Sequence, residues 1–248
     1  MTTLFISDLH LSGEHPEKLA LFKQFLTAAA HSANALYILG DLFEVWLGDD
    51  DTTPPHPEIL SGLARFSSQG KALYVMRGNR DFLMRSRFES LMGCKLLPDP
   101  FVTEIYGQRT LLMHGDLLCT LDVKYQALRR KARNPLRQWL FLAMPLAIRA
   151  NVARRLRENS KQETRLKDQA IMDVTPSEVE QVMTEHSATL LIHGHTHRPA
   201  IHDFTLDGNP ARRIVLGDWY GEENLILAFN EQGPTLIRAQ DFVMDPHV

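Results

Sequence analysis

Five short apolar runs along the chain each end abruptly in polar residues. Thr3-Leu-Phe-Ile-Ser7 runs into Asp8-Leu-His10, Ala35-Leu-Tyr-Ile-Leu39 into Gly40-Asp41, and Ala72-Leu-Tyr-Val-Met76 leads to Gly78-Asn79. Thr110-Leu-Leu-Met113 runs into His114-Gly115-Asp116, and Thr189-Leu-Leu-Ile192 into the His193–His197 cluster. Runs of this length, rich in β-branched and aromatic residues, predict buried strands. Between the first three lie helical stretches, Glu17–Ala30 and Pro57–Ser67. That alternation predicts an α/β fold built from βαβ units. Near the end, Arg213–Gly217, Leu225–Asn230 and Thr235–Ala239 read as strands joined by tight turns, and predict a second, antiparallel-rich sheet packed on the first. From about Thr120 to Asp173 the alternation stops. This stretch reads as helices interrupted at Pro135 and Pro145, a helical insertion over the main domain.

In open α/β sheets, ligands bind beyond the carboxyl ends of the strands. Here each predicted strand delivers a metal-capable residue at that end. Asp8 and His10 are two apart, and on an extended backbone both would point to one face. His195 and His197 repeat the spacing in Gly194-His-Thr-His, with Asp41, Asn79 and His114 in between. Two Asp, four His and one Asn over-supply a single ion. They suit two ions sharing a bridging carboxylate, the arrangement that clamps attacking and leaving oxygens in an in-line displacement. Mixed imidazole and carboxylate ligation fits Mn, Fe or Zn better than Mg or Ca. Each fragment alone is weak, since Gly-Asp is also ordinary turn chemistry; five in order, each at a strand end, are specific together. His193 lies on the apolar strand itself and is expected to make a structural hydrogen bond. His15, His31, His56, His186, His202 and His247 show no partner pattern.

Charge adds a second theme. The net charge of −3 argues against a general nucleic-acid binder. Yet between Lys124 and Lys167 there are 13 Lys+Arg against two acidic residues, Glu158 and Glu163. Such a cationic segment on an anionic protein seeks phosphate, nucleic acid or an anionic membrane surface. Cys94 and Cys119 have no paired metal spacing and read as reduced thiols of a cytosolic protein. No secretory signal is visible ahead of the first strand. The longest apolar run, Trp139–Ile148, is too short to cross a bilayer.

The set Asp-x-His, Gly-Asp, Gly-Asn-Arg-Asp, His-Gly-Asp and Gly-His-x-His, present as Asp8–His10, Gly40–Asp41, Gly78–Asp81, His114–Asp116 and Gly194–His197, resembles the calcineurin-like metallophosphoesterases. The resemblance covers nearly the whole chain. Leu36–Glu44, Trp46–Asp50 and Ile192–Pro199 point to a branch that cleaves the pyrophosphate of a lipid-linked sugar nucleotide. It implies a two-sheet α/β sandwich, one domain over residues 1–248 with a helical lid inserted at about 120–173. It also implies two Mn2+ ions, one on Asp8, His10, Asp41 and His197, the other on Asp41, Asn79, His114 and His195. Asn79, Arg80, Asp122, Ser160, Thr164, Lys167 and His195 would contact the substrate, with Arg80 and His195 in catalytic roles. The protein would sit peripherally on the cytoplasmic face of the inner membrane, with no nucleic acid and no obligate protein partner.

Arg80 departs from the wider family, in which the protein phosphatases place a general-acid His after the motif Asn. Arg stays protonated and delivers no proton. An alkoxide leaving group needs a proton; a phosphate, with a second pKa of about 6, needs charge neutralisation, which a bidentate Arg supplies. The residue therefore favours phosphoanhydride cleavage, with water or His195 still open as the acid. In the insertion, Trp139–Ile148 would line a slot for acyl chains, and Arg149, Arg154, Arg155 and Arg157 would reach lipid head groups. The competing reading is an ordinary amphipathic helix with a solvated basic face. Trp46 and Phe82 read as packing residues near the site. Two other functions fit the same ligands: hydrolysis of soluble nucleotides, and a non-catalytic scaffold.

Overall fold

The computed structural model describes residues 2–165, 173–221 and 223–246, with residues 159–165 as backbone only. Two mixed sheets pack face to face. In the first, the strand order is β11-β10-β1-β2-β3-β4. Strands β1 (Thr2–Ile6), β2 (Ala33–Leu39), β3 (Ala72–Met76) and β4 (Lys95–Leu97) run parallel. At the other edge β10 (Leu225–Asn230) and β11 (Gly233–Arg238) join antiparallel. The second sheet has the order β5-β6-β7-β9-β8. Its centre, β6 (Gln108–Met113), β7 (Leu190–His193) and β9 (Asn209–Val215), is parallel. Its antiparallel edges are β5 (Phe101–Ile105) and β8 (Ala200–Leu206).

The unbroken apolar runs follow from this layering, because both faces of each central strand are covered. In β1, Leu4 and Ile6 face the helices while Phe5 faces the second sheet, all fully buried. In β2, Leu36 and Ile38 alternate with Tyr37 and Leu39 in the same way. Helix α1 (Pro16–Ser32) begins with proline at its first position, where a missing N–H costs nothing. It buries Leu19, Phe22, Leu26 and Ala29 at three- and four-residue spacing. Helices α2 (His56–Ser68) and α3 (Ser86–Met92) complete that layer with the C-terminal helix Ala239–Met244. Helix Pro176–Glu185 covers the second sheet through Val179, Val182 and Met183.

One expectation needs correction. The late strands do not form one sheet: β10 and β11 extend the first, and only β9 belongs to the second. Leu227 and Phe229 pack between the sheets while Ile226 and Ala228 face the helices, which fixes β10 beside β1. In the insertion, Pro135 and Pro145 fall at the breaks between helices, as the sequence predicts. They mark the starts of α5 (Pro135–Leu142) and α6 (Leu146–Arg165), following α4 (Val123–Ala132). Asp122 and Asn134 cap α4 and α5, accepting hydrogen bonds from Tyr125 N at 3.1 Å and Arg137 N at 3.2 Å. Among the described residues no helix is long and apolar enough to cross a membrane.

Candidate active site

All seven metal-capable residues sit just past the carboxyl ends of parallel strands: Asp8 and His10 after β1, Asp41 after β2, Asn79 after β3, His114 after β6, and His195 and His197 after β7. The two sheets thus aim five loops at one point. The Asp-x-His and His-x-His pairs are not on extended backbone, as their spacing suggested. Asp8, His10, Asp41, His195 and His197 all take left-handed conformations, with φ of +55°, +48°, +54°, +70° and +56°. Asp and His tolerate this region better than most residues, but each instance still costs about 1–3 kcal/mol. Tertiary hydrogen bonds hold the strained turns. Asp8 N donates to Gly40 O at 3.1 Å, His10 N to Asp41 O at 2.9 Å and Gly194 N to His114 O at 2.9 Å. Asp81 accepts from Leu42 N at 2.8 Å and Gly78 N at 2.7 Å, tying the second and third loops together. A Cβ on Gly78 would lie 2.1 Å from Asp41 Oδ1, and one on Gly194 would lie 2.3 Å from Asp8 Oδ2. Only glycine allows the backbone that close.

The side chains form two overlapping groups whose donor atoms lie within 4.8 Å of one another: Asp8, His10 and His197, and Asp8, Asp41 and His114. Asp41 faces both sides, with Oδ2 3.7 Å from His10 Nε2 and Oδ1 3.8 Å from His114 Nε2. Asn79 Oδ1 joins the second side, 3.0 Å from His114 Nε2. His195 stands beside it, its ring centroid 5.0 Å from that of His114, and its backbone N donates to Asp8 Oδ2 at 2.8 Å. The side chain of His195 is in neither group.

These residues fit a pair of cations. Asp8 Oδ1 and His10 Nε2 are buried polar atoms without a hydrogen-bond partner, which a folded protein rarely tolerates unless an ion takes their place. Three histidines keep Nε2 inward because an oxygen stands behind Nδ1. His114 Nδ1 donates to Leu39 O at 2.9 Å, His197 Nδ1 is 2.7 Å from Asp218 Oδ2, and His10 Nδ1 is 3.1 Å from Glu44 Oε2, off the line of a hydrogen bond. Such contacts orient metal-binding imidazoles and raise their basicity. The potential is strongly negative. Burial works to lower the His114 ring, but Asp41, Asp116 and Asp8 push it up to about 9. Against the same pull of burial, Asp218 and Asp8 push His197 up to about 10. Asp8 would be raised by burial, yet the His197 ring 3.4 Å away and the charges of His114 and His10 hold it well below the carboxylate range. His195 is the exception, held down to about 4 by burial and the neighbouring His114. A site that draws protons onto its imidazoles draws divalent cations by the same field.

Beside the donors, between the core and the insertion, lies a cavity of about 420 Å³. Trp46, Phe82, Leu83, Leu128, Phe141 and Leu156 line it with carbon, while Arg80, Arg129, Arg133 and Arg157 line it with charge. Asn79 and Arg80 carry it up to the donors. Trp46 also stacks on Phe43 at 4.8 Å, and Arg133 lies over the Phe82 ring at 5.7 Å, so both expected packing residues also face the cavity. Of the Trp139–Ile148 run only Phe141 lines it; Trp139, Leu140 and Ile148 point outward. Arg149 does not reach outward either. It is 2% exposed, paired with Asp50 and donating to Leu47 O at 2.5 Å, because α6 needs an anchor on the Trp46–Asp50 loop. Asp122 is a helix cap and is not among the lining residues. The side chains of Ser160 and Thr164, and all of Lys167 and His247, lie outside the described residues. His193 is structural, donating from Nδ1 to Gly194 O at 2.8 Å.

Sequence reasoning missed the supporting shell. Asp116 accepts from Tyr125 Oη and Arg129 Nε, both at 2.7 Å, and Arg133 donates to Gly78 O at 2.9 Å, so α4 is pinned to the loops of His114 and Asn79. Glu44 and Asp218 back two of the histidines. Asp218 had a visible signal: Gly217-Asp218 after β9 repeats Gly40-Asp41 after β2.

Two mixed sheets in a helix-flanked sandwich, with donors for two cations at the shared strand ends, define a dinuclear metal-dependent phosphoesterase. A family model described as calcineurin-like phosphoesterase matches residues 1–199, and the chain belongs to that family. Within it the chain is similar over nearly its whole length to proteins named UDP-2,3-diacylglucosamine hydrolase. It is 52% identical to that of Aeromonas hydrophila subsp. hydrophila over 92% of this chain and 94% of the relative. It is also 52% identical to that of Pseudomonas entomophila, over 93% of this chain and 95% of the relative. Among solved structures, an archaeal phosphodiesterase matches 96% of this chain and 99% of its own, with a TM-score of 0.50 at 13% identity, a likeness of fold alone.

Proposed function

We propose that this enzyme hydrolyses the pyrophosphate bond of UDP-2,3-diacylglucosamine, releasing UMP and 2,3-diacylglucosamine 1-phosphate, a step of lipid A biosynthesis. The observation that carries the reading is one continuous surface, from the clustered donors through Asn79 and Arg80 into a mainly apolar cavity that five arginines also line. A substrate with two acyl tails and a diphosphate needs both features. When bound, two cations, Mn2+ in this reading, supply a water nucleophile at neutral pH for attack on the α-phosphorus and neutralise its oxygens. Asp8, His10, Asp41 and His197 would hold one, and Asp41, Asn79, His114 and His195 the other. Arg80 neutralises the departing sugar phosphate by charge and paired N–H donors, without giving up a proton. His195, held neutral, supports the phosphoryl group by hydrogen bonding, and Asn79 positions it. Asp122, Ser160, Thr164 and Lys167 are further substrate contacts in this reading.

The insertion, about 120–173, acts as a lid inserted in a single domain. It exposes Leu136, Trp139 and Leu140 together with the cations Arg130, Lys131 and Arg137, the last two of which also line the cavity. Each such cation contributes about 1 kcal/mol toward an anionic membrane, which fits a peripheral protein on the cytoplasmic face of the inner membrane. A scaffold has no need of buried, unpartnered metal donors, and an enzyme for soluble nucleotides has little need of the apolar walls.

The test is a panel of substrates with Mn2+, scored for UMP release, lipid substrate in detergent against soluble dinucleotides and cyclic nucleotides. Selective cleavage of the lipid substrate is expected; equal or greater turnover of soluble nucleotides would overturn the assignment. Arg80→Ala should lower kcat at least about 100-fold, as for loss of a transition-state donor, with metal content unchanged. Parallel loss of metal would make Arg80 structural instead.

A further inference from the structure

Glu44 meets three partners from three separate parts of the chain. Its Oε2 is 3.1 Å from His10 Nδ1 and accepts from Tyr220 Oη at 3.0 Å, while Oε1 pairs with Arg157 of α6. The side chain is 12% exposed and Glu44 lines the cavity. Its backbone is fixed beside the ligand it touches, since Glu44 N donates to Leu11 O at 3.2 Å and Phe43 bridges to Leu11. Tyr220 is held in turn by Lys18, whose Nζ sits 3.7 Å from the ring centroid and donates to Leu9 O at 3.1 Å. A surface acid would not collect such a set. His114 and His197 have Leu39 O and Asp218 behind their Nδ1 atoms; Glu44 is the corresponding oxygen for His10.

We propose that Glu44, supported by Tyr220, is a positioning residue that fixes the ring of His10 toward one of the two cations, and that Arg157 compensates its charge from the lid. This rests on the two-cation reading above. Loss of the oxygen behind a metal-binding imidazole weakens metal affinity by about 10–100-fold, so the effect should fall on one equivalent of metal only. Arg157 ties the same carboxylate to α6, so the insertion and this half of the site share one anchor.

The experiment titrates Mn2+ into metal-free full-length protein by calorimetry, with thermal melts to confirm folding and kcat and KM measured in parallel. Wild type should take up two equivalents. Glu44→Ala should bind one of them about 10–100-fold more weakly and leave the other unchanged, with a fall in kcat that excess Mn2+ partly restores. Glu44→Gln keeps an acceptor oxygen and should recover most of the affinity although its pairing with Arg157 is lost. Should Glu44→Ala fail to fold, Tyr220→Phe carries the test: a several-fold loss confined to one equivalent supports the proposal, and unchanged binding overturns it. A Glu44→Ala protein that binds both equivalents as wild type does, with only KM raised, would make Glu44 a substrate contact and overturn it. Wild-type protein that bound fewer than two equivalents would instead overturn the two-cation reading beneath it.

Discussion

Adding one methyl group at Gly78 should disable the site without replacing a donor. The new Cβ would lie 2.1 Å from Asp41 Oδ1 and 2.4 Å from Asp41 N. Ordinary contact begins at 3.4 Å, so the Asp41 carboxylate must retreat by about 1.3 Å. It cannot do so freely, because Oδ1 accepts from Arg80 N at 2.8 Å and the main chain of Asp41 holds His10 N at 2.9 Å. Overpacking of this kind costs about 1–3 kcal/mol of stability. A misplacement of about 1 Å at a reacting centre costs about 100-fold in rate, and here the displaced group faces both halves of the proposed two-cation site. Gly78→Ala should therefore melt somewhat lower, hold less than two equivalents of metal, and release UMP at least about 100-fold more slowly. Gly13→Ala is the control, because nothing lies within 4 Å of its added carbon; it should match wild type in all three assays. A Gly78→Ala protein with full metal content and wild-type kcat would refute the view that Asp41 must stand where it does.

Two further outcomes follow from contacts outside the donors. Arg149→Met keeps most of the buried volume but removes the pairing with Asp50 and the bond to Leu47 O; a loss of about 1.5–3 kcal/mol in urea unfolding is expected, and an unchanged midpoint would show that α6 is anchored otherwise. Asp51 would be raised by burial, but the His56 ring 3.5 Å away and hydrogen bonding from Thr53 hold it down to about 2. Its contribution is thus fully present above the ordinary Asp range and is lost as pH falls from about 4 toward about 2. Unfolding free energies measured at pH 5, 4 and 3 should converge for wild type and Asp51→Asn as acid is added, whereas a constant gap would contradict the assignment.

Much of this fold was legible because burial on both faces writes itself into sequence. Leu4-Phe5-Ile6 and Leu36–Leu39 read as strands for that reason, and the polar residue that ends each run marks where the sheet stops. The edges were harder. β8 is mostly exposed and carries polar residues, and β4 has three residues, so neither shows a run or an alternation. The sheet to which β10 belongs depends on which surface Leu227 and Phe229 meet, a long-range matter that no local pattern records. At the site, residue types and order were readable, but the left-handed turns were not, since Asp8 and His10 reach one point by strain rather than by strand periodicity. Arg149 and Arg157 look alike in the sequence. One is buried against Asp50 and the other pairs with Glu44 in the cavity lining, because α6 turns them toward different parts of the Leu42–Asp51 loop.

Seven side chains from five strand ends are proposed to enclose two cations. A crystal of the Mn2+-loaded protein, with anomalous data collected at the manganese edge, tests this arrangement most directly. Two peaks about 3.5–4 Å apart are expected, both within ligand distance of Asp41, one also touched by Asp8, His10 and His197 and the other by Asn79, His114 and His195. A single peak, or a pair in which Asn79 or His114 stands beyond ligand distance of either ion, would contradict it.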